Sequence, residues 1–230
     1  QSGKSTLLEA MLFACGAIER RGTQRDGNIV SDASTEARAR GMSTELSAAF
    51  GDYLGERWHF LDCPGSLEFF QETHAALMAV DVAIVVCEPE IEKAQGIAPL
   101  LHLLNERGIP HMIFINKMDT DAARVSDVLD ALQVVSACPL VLREVPIREG
   151  DTVTGYADLV SERAYTYKTG EASDLIPLPD SVGTRYAEAR QTMLESLADF
   201  DDALLEQLLE DVVPSKEEVY QHLTKDFQTE

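Results

Sequence analysis

The chain opens Gln1-Ser2-Gly3-Lys4-Ser5-Thr6. Its Gly-Lys-Ser, followed at once by an apolar helical pattern, is the second half of a phosphate-binding loop. The full pattern has a buried strand and then a glycine five places before Gly3, and both are expected ahead of Gln1. The part present has its own chemistry. Gly3 lets backbone N–H groups approach a phosphate, Lys4 reaches the terminal phosphates, and the Ser5 hydroxyl is the type that ligates Mg²⁺. The helix that follows points its positive end at the anion. Read alone, the same residues also suit an ordinary helix N-terminus capped by Ser2.

Working outward, Leu7, Leu8, Met11, Leu12 and Cys15 fall at helical spacing, and Gly16 ends the helix. Residues 17–41 show no sustained period and carry three glycines, which predicts a long loop. Alternation from Met42 to Phe50 predicts a strand. A turn at Asp52-Tyr53-Leu54-Gly55 leads into a second strand from Arg57 to Leu61, with Trp58 in the core. That hairpin ends at Asp62-Cys63-Pro64-Gly65. A helix over 66–79, a fully buried strand over 82–87, a helix over 93–107 stopped by Gly108 and a short buried strand over 112–115 follow. The last strand leads into Asn116-Lys117-Met118-Asp119, after which Asp121 can cap a helix over 122–135.

Strand and helix alternating in this way predict a mostly parallel sheet covered on both faces, with ligands beyond the carboxyl ends of its strands. After Pro139 the texture changes to short strands over 140–147, 152–160 and 164–168, a loop over 169–180, and helices over 181–199, 201–211 and 215–227. We therefore divide the chain into residues 1–143, an α/β domain, and 144–230, a smaller α+β unit.

With 230 residues the chain can bury a sizeable core. A formal charge of −21 argues against a broad nucleic-acid surface, because that affinity comes from Lys and Arg on phosphates. No apolar run approaches a bilayer-spanning length, so a cytoplasmic protein is expected. Cys15, Cys63, Cys87 and Cys138 lack metal-site spacing and read as reduced core thiols.

Four separated pieces stand in one order: Gly-Lys-Ser, Arg40-Gly41-Met42-Ser43 opening a strand, Asp62-Cys63-Pro64-Gly65, and Asn116-Lys117-Met118-Asp119. A strand-end carboxylate such as Asp62 can hold Mg²⁺ through water while the Gly65 N–H meets a γ-phosphate. Asp119 can accept two N–H donors from guanine, whereas adenine presents an acceptor at N1. A site built on such donors rejects the wrong partner by roughly 10⁴ to 10⁵.

In these motifs the sequence resembles the G domain of translational GTPases, and most closely that of elongation factor G and its paralogues. The likeness continues through Val145-Pro-Ile-Arg-Glu-Gly, Gly155-Tyr-Ala-Asp-Leu, Ala164-Tyr-Thr-Tyr and Ala198-Asp-Phe-Asp-Asp, which resemble that family's G′ insertion. The resemblance implies a P-loop NTPase fold that binds GTP or GDP through Ser2, Gly3, Lys4, Ser5, Thr6, Asp62, Gly65, Asn116, Lys117 and Asp119. It implies Mg²⁺ on Ser5, Ser43 and Asp62, with Lys4, Gly65 and Ser66 at the reacting phosphate. It also implies the ribosome as partner; the carboxylates of residues 199–230 read as solvated helix faces, for which the resemblance permits a contact with the ribosomal stalk. A fifth nucleotide motif is expected beyond Glu230.

The sequence departs from the family at Ser66, where a histidine normally orients the attacking water, at Gln1, which is usually Asp, and at Ala39. These departures bear on hydrolysis rather than nucleotide binding. Two function classes follow: a GTPase whose chemical step is slow, or a nucleotide-gated ribosome-associated binding module with little or no hydrolysis. A P-loop ATPase would need adenine to be read elsewhere than at residues 116–119.

Overall fold

The computed structural model describes residues 2–119, 124–168, 170–210 and 212–229; the expected cap Asp121 and the loop residue Gln1 lie outside them. The chain forms two compact units, one of Gln1–Val86 with Met112–Asn116, the other of Cys87–His111 with Lys117–Glu230.

In the first unit, α1 (Lys4–Ala14) buries Leu8, Glu9 and Leu12, one face at helical spacing. Gly16, at φ 71°, lies just past its end. The segment read as a loop contains a helix, α2 (Thr35–Arg40): Ser34 Oγ accepts from the Ala37 N–H at 3.1 Å, and Gly41 closes the far end at φ 60°. Six residues with one buried side chain, Ala37, are too few to show a period.

The first strand, β1 (Ser47–Tyr53), starts later than the alternation from Met42 suggests. Gly41 turns the chain out of α2, and Ser43 is held at Ser5 instead of opening the strand. It pairs antiparallel with β2 (Glu56–Asp62) from Ser47 opposite Asp62 to Tyr53 opposite Glu56. Leu54 and Gly55 make the turn at φ 53° and 87°, the positive values a two-residue hairpin needs. Only the Leu61–Asp62 end of β2 and its neighbour Phe60 are covered, so Trp58, expected in the core, is 51% exposed.

The helix expected over 66–79 is α3 (Phe70–Ala76), with a 3₁₀ turn on either side. β3 (Ala83–Cys87) and β4 (His111–Ile115) pair in a two-stranded sheet. Both runs are apolar enough to be buried throughout, yet Ile84, Met112 and Phe114 are exposed, because cover reaches only the Val85–Cys87 end of β3 and alternate residues of β4.

In the second unit, Gly96 divides the expected helix over 93–107 into α4 (Ile91–Gln95) and α5 (Ala98–Arg107). Pro99 suits the first turn of α5, and Gly108 ends it in the left-handed region. α6 (Val125–Val135) buries Val128, Ala131 and Leu132 and packs on α4. An antiparallel meander follows: β5 (Glu144–Glu149), β6 (Thr152–Asp158), β7 (Arg163–Thr166) and β8 (Asp174–Ile176). β8 lies in a stretch read as loop, and its three residues give no alternation to detect.

α7 (Asp180–Ala198), α8 (Asp202–Leu209) and α9 (Lys216–Thr229) close this unit. Met193, Leu194 and Leu197 of α7 share one core with Val145, Leu159, Leu204 and Val219. Asp201 caps α8 through the Ala203 and Leu204 N–H groups. Ser215 and Glu218 bond each other's backbone N–H at the start of α9, a reciprocal capping box. Among the described residues, no helix is long and apolar enough to cross a membrane.

Candidate functional site

Gly3 is the N-cap of α1 at φ 94°, and among the described residues no side chain caps the helix, so Ser2 does not act as its cap. The first-turn N–H groups are therefore left for another acceptor, which is the arrangement a phosphate uses. Asn116, just past β4, donates from Nδ2 to the Ser2 carbonyl at 2.8 Å. A Cβ on Gly3 would strike that same amide and displace it, and the left-handed φ itself favours glycine there. Residues 2–3 and 116 thus meet across the whole length of the first unit's sequence.

Ser5 Oγ and Ser43 Oγ stand 3.2 Å apart. Asp62, 7% exposed at the end of β2, has its Oδ2 buried without a hydrogen-bond partner among the described residues. An orphaned carboxylate oxygen inside a protein is costly and calls for a cation or donor. Two hydroxyls and one carboxylate are oxygen ligands of the kind Mg²⁺ takes, alongside water and nucleotide phosphates. The residues present fit the ion that the sequence motifs imply. Among the described residues, no group of three or more His, Cys, Asp or Glu side chains is placed to hold a metal.

Gly65 lies against Lys4: a Cβ added there would come within 2.5 Å of the Lys4 ammonium. The next residue, Ser66, is half-buried and accepts from the Glu68 N–H at 3.4 Å, capping the 3₁₀ turn that begins at Leu67. Its hydroxyl has a structural partner. Thr6 is exposed on the first turn of α1. Cys63 sits within the turn, and burial first, then the Asp62 carboxylate, pushes its thiol up, so it stays protonated.

Glu9, a carboxylate on the apolar face of α1, is 1% exposed and accepts from the N–H groups of Gly22 at 2.7 Å and Val30 at 2.5 Å. It ties the loop that leads to α2 and Ser43 onto the phosphate-loop helix. No sequence pattern singled it out, because its burial is known only from the fold.

In the second unit, Lys117 has φ 59°, unusual for a residue with a side chain, and its Nζ donates to Glu88 Oε1. Glu88 Oε2 accepts from Lys93, which also pairs with Glu90 at 2.7 Å. The Lys117 and then the Lys93 ammonium pull the Glu88 carboxyl from 4.5 down to about 2, against the effect of burial. Asp119 follows two residues later, exposed in a turn. Sequence reasoning named Lys117 and Asp119 as candidates but not Glu88. Nearby Cys87 is pushed up to about 11 by burial, which leaves it an inert thiol.

Residues 1–219 match the family model described as the elongation factor Tu GTP binding domain. An elongation factor G-like protein of Synechocystis is 50% identical over 218 residues, covering 95% of this chain and 33% of that protein. Peptide chain release factor 3 of Lactobacillus acidophilus is 34% identical over 187 residues, covering 78% of this chain and 35% of that protein. A crystal structure from Thermus thermophilus superposes with a TM-score of 0.87 at 28% identity, covering 99% of this chain and 34% of that one. The chain spans about a third of the length of these relatives.

Proposed function

The chain belongs to the family of elongation factor Tu GTP-binding domains, and from that premise we propose that it is the guanine-nucleotide domain of an elongation factor G-like GTPase acting on or near the ribosome in the cytoplasm. We assign residues 1–143 to the G domain and residues 144–230 to its inserted subdomain. The acidic helices after residue 199 face the ribosomal stalk.

The observation that carries this reading is the bond from Asn116 to the Ser2 carbonyl, which joins the base-recognition motif to the phosphate loop. Phosphates lie on the N–H groups that follow Gly3, with Lys4 on the terminal pair. Lys117 and Asp119 continue the base site, and Asp119 accepts from guanine. Ser5, Ser43 and Asp62 would hold Mg²⁺, which when bound would neutralise charge building on the phosphoryl oxygens. Gly65 offers its N–H to the γ-phosphate beside Lys4.

Ser66 favours a slow chemical step. Its hydroxyl caps the following turn, and a serine cannot carry the charge of an imidazolium. A second reading, a switch that binds GTP and hydrolyses little of it, draws on the same observation.

The test is base choice. In the full-length protein, GDP should displace a fluorescent guanine nucleotide while ADP does not, and comparable ADP affinity would overturn the proposal. Asp119→Asn should move preference toward xanthine, whose extra carbonyl accepts what the amide donates.

A further inference from the structure

Glu88 follows β3 in Cys87-Glu88-Pro89-Glu90, and its side chain is 7% exposed. A carboxylate this buried is tolerated only when paired. Its two oxygens are divided, Oε1 to Lys117 and Oε2 to Lys93, so the two ammonium groups are held independently. Glu90 is the second partner of Lys93, which sets two carboxylates against two ammoniums in this cluster.

Lys117 is the residue of Asn116-Lys117-Met118-Asp119 whose backbone is in the left-handed region, at φ 59°. An L-residue keeps that conformation only where surrounding contacts over-determine it. Glu88, Lys93, Lys117 and Asp119 all belong to one compact unit.

We infer that Glu88 is a positioning residue for guanine recognition: by bonding the Lys117 ammonium it holds the loop of Lys117 to Asp119 in the conformation that aims the Asp119 carboxylate at the base. The inference rests on the base-binding reading given above. A carboxylate that must meet two donors at once tolerates little displacement, so loosening Lys117 should cost affinity through Asp119 without touching the phosphate loop. Lys93, on the other oxygen, completes the pairing of Glu88 but has no part in the loop.

The experiment measures binding of GDP, inosine diphosphate and ADP to the full-length protein, together with thermal stability. Inosine lacks the 2-amino group, so the ratio of GDP to inosine diphosphate affinity reads the Asp119 contact directly. Glu88→Gln should weaken GDP by about 10-fold, the scale on which lost partners of ligating groups are felt, and should collapse that ratio. GTP should weaken equally, since the loss is at the base. Lys93→Met should lower stability yet leave the ratio at its wild-type value. The double variant Glu88→Gln with Lys93→Met, which leaves no Lys93 ammonium facing a neutral amide, should show the same collapsed ratio if the single variant folds poorly.

A Glu88→Gln protein that is less stable but keeps the wild-type ratio overturns the inference, as does a ratio lost equally in Lys93→Met. A wild-type protein that binds GDP no better than ADP overturns the functional reading and the inference with it. Retained GDP preference with an unmoved ratio overturns the inference alone.

Discussion

On the proposed reading, Ser66 is the residue on which the rate of hydrolysis turns. Its hydroxyl accepts from the Glu68 N–H, and it stands next to Gly65, which lies against Lys4. Groups that position or polarise an attacking water are typically worth about 10² to 10⁴ in rate. Ser66→His should therefore raise single-turnover GTP hydrolysis, while Ser66→Ala should change it little and loosen only the 3₁₀ turn; a large loss in Ser66→Ala would show that the serine itself orients the water. Glu88 yields a second expectation at this scale. Its folded value, about 2, is depressed below the usual 4.5. The stability from its pairs is thus fully present above about pH 4.5 and is lost as pH falls through 2. The stability gap between wild type and Glu88→Gln should be constant from pH 8 to 5 and close in the acid range, which acid titration of unfolding measures. Ser5, Ser43, Asp62 and Asn116 were legible because motif spacing fixes their chemistry. Glu88 and Glu9 were not, since a carboxylate in a chain carrying 40 of them has no distinguishing pattern until its burial is known.

Between the phosphate-loop helix and the first strand, the chain is organised by caps more than by periodicity. Ser34 and Gly41 bracket α2, and Glu9 holds the loop before it through two backbone N–H groups. Glu9→Ala leaves both N–H groups without an acceptor inside the protein and should cost roughly 2–4 kcal/mol, judged from hydrogen bonds to charged groups. Denaturant unfolding would measure it, and a loss below about 1 kcal/mol would mean water replaces the carboxylate. In the second unit, Gly155 of β6 has the Tyr165 carbonyl so close that a Cβ cannot enter. Gly155→Ala should destabilise the β5–β8 sheet by about 1–3 kcal/mol through forced backbone shifts, seen as a lowered melting temperature. The helix α1 and the hairpin's second strand were readable from the residues, because apolar spacing and turn chemistry agree there. α2, β8 and the break at Gly96 were not. Elements of three to six residues bury one or two side chains, and the hydrogen bonds that set their ends leave no period in the sequence.

At the scale of the whole molecule, the order of four short motifs carried more than any one of them, and alternation of helix and strand supplied the scaffold on which to place them. The strong negative charge directs expectations for binding toward a bounded nucleotide site rather than a broad polyanion surface. What the residues could not reveal is how far each apolar run would be covered: β3 and β4 read as buried, yet Ile84, Met112 and Phe114 reach solvent. The central claim is that this G domain hydrolyses GTP in the service of the ribosome, slowly because of Ser66. It is tested most directly by single-turnover nucleotide hydrolysis in the full-length protein, with and without ribosomes. The account expects GTP to be cleaved, ATP to be left intact, ribosomes to raise the GTP rate, and that rate to remain below a histidine-bearing elongation factor G until Ser66→His is introduced. Hydrolysis of ATP at the GTP rate, or a GTP rate indifferent to ribosomes and to Ser66→His, would contradict it.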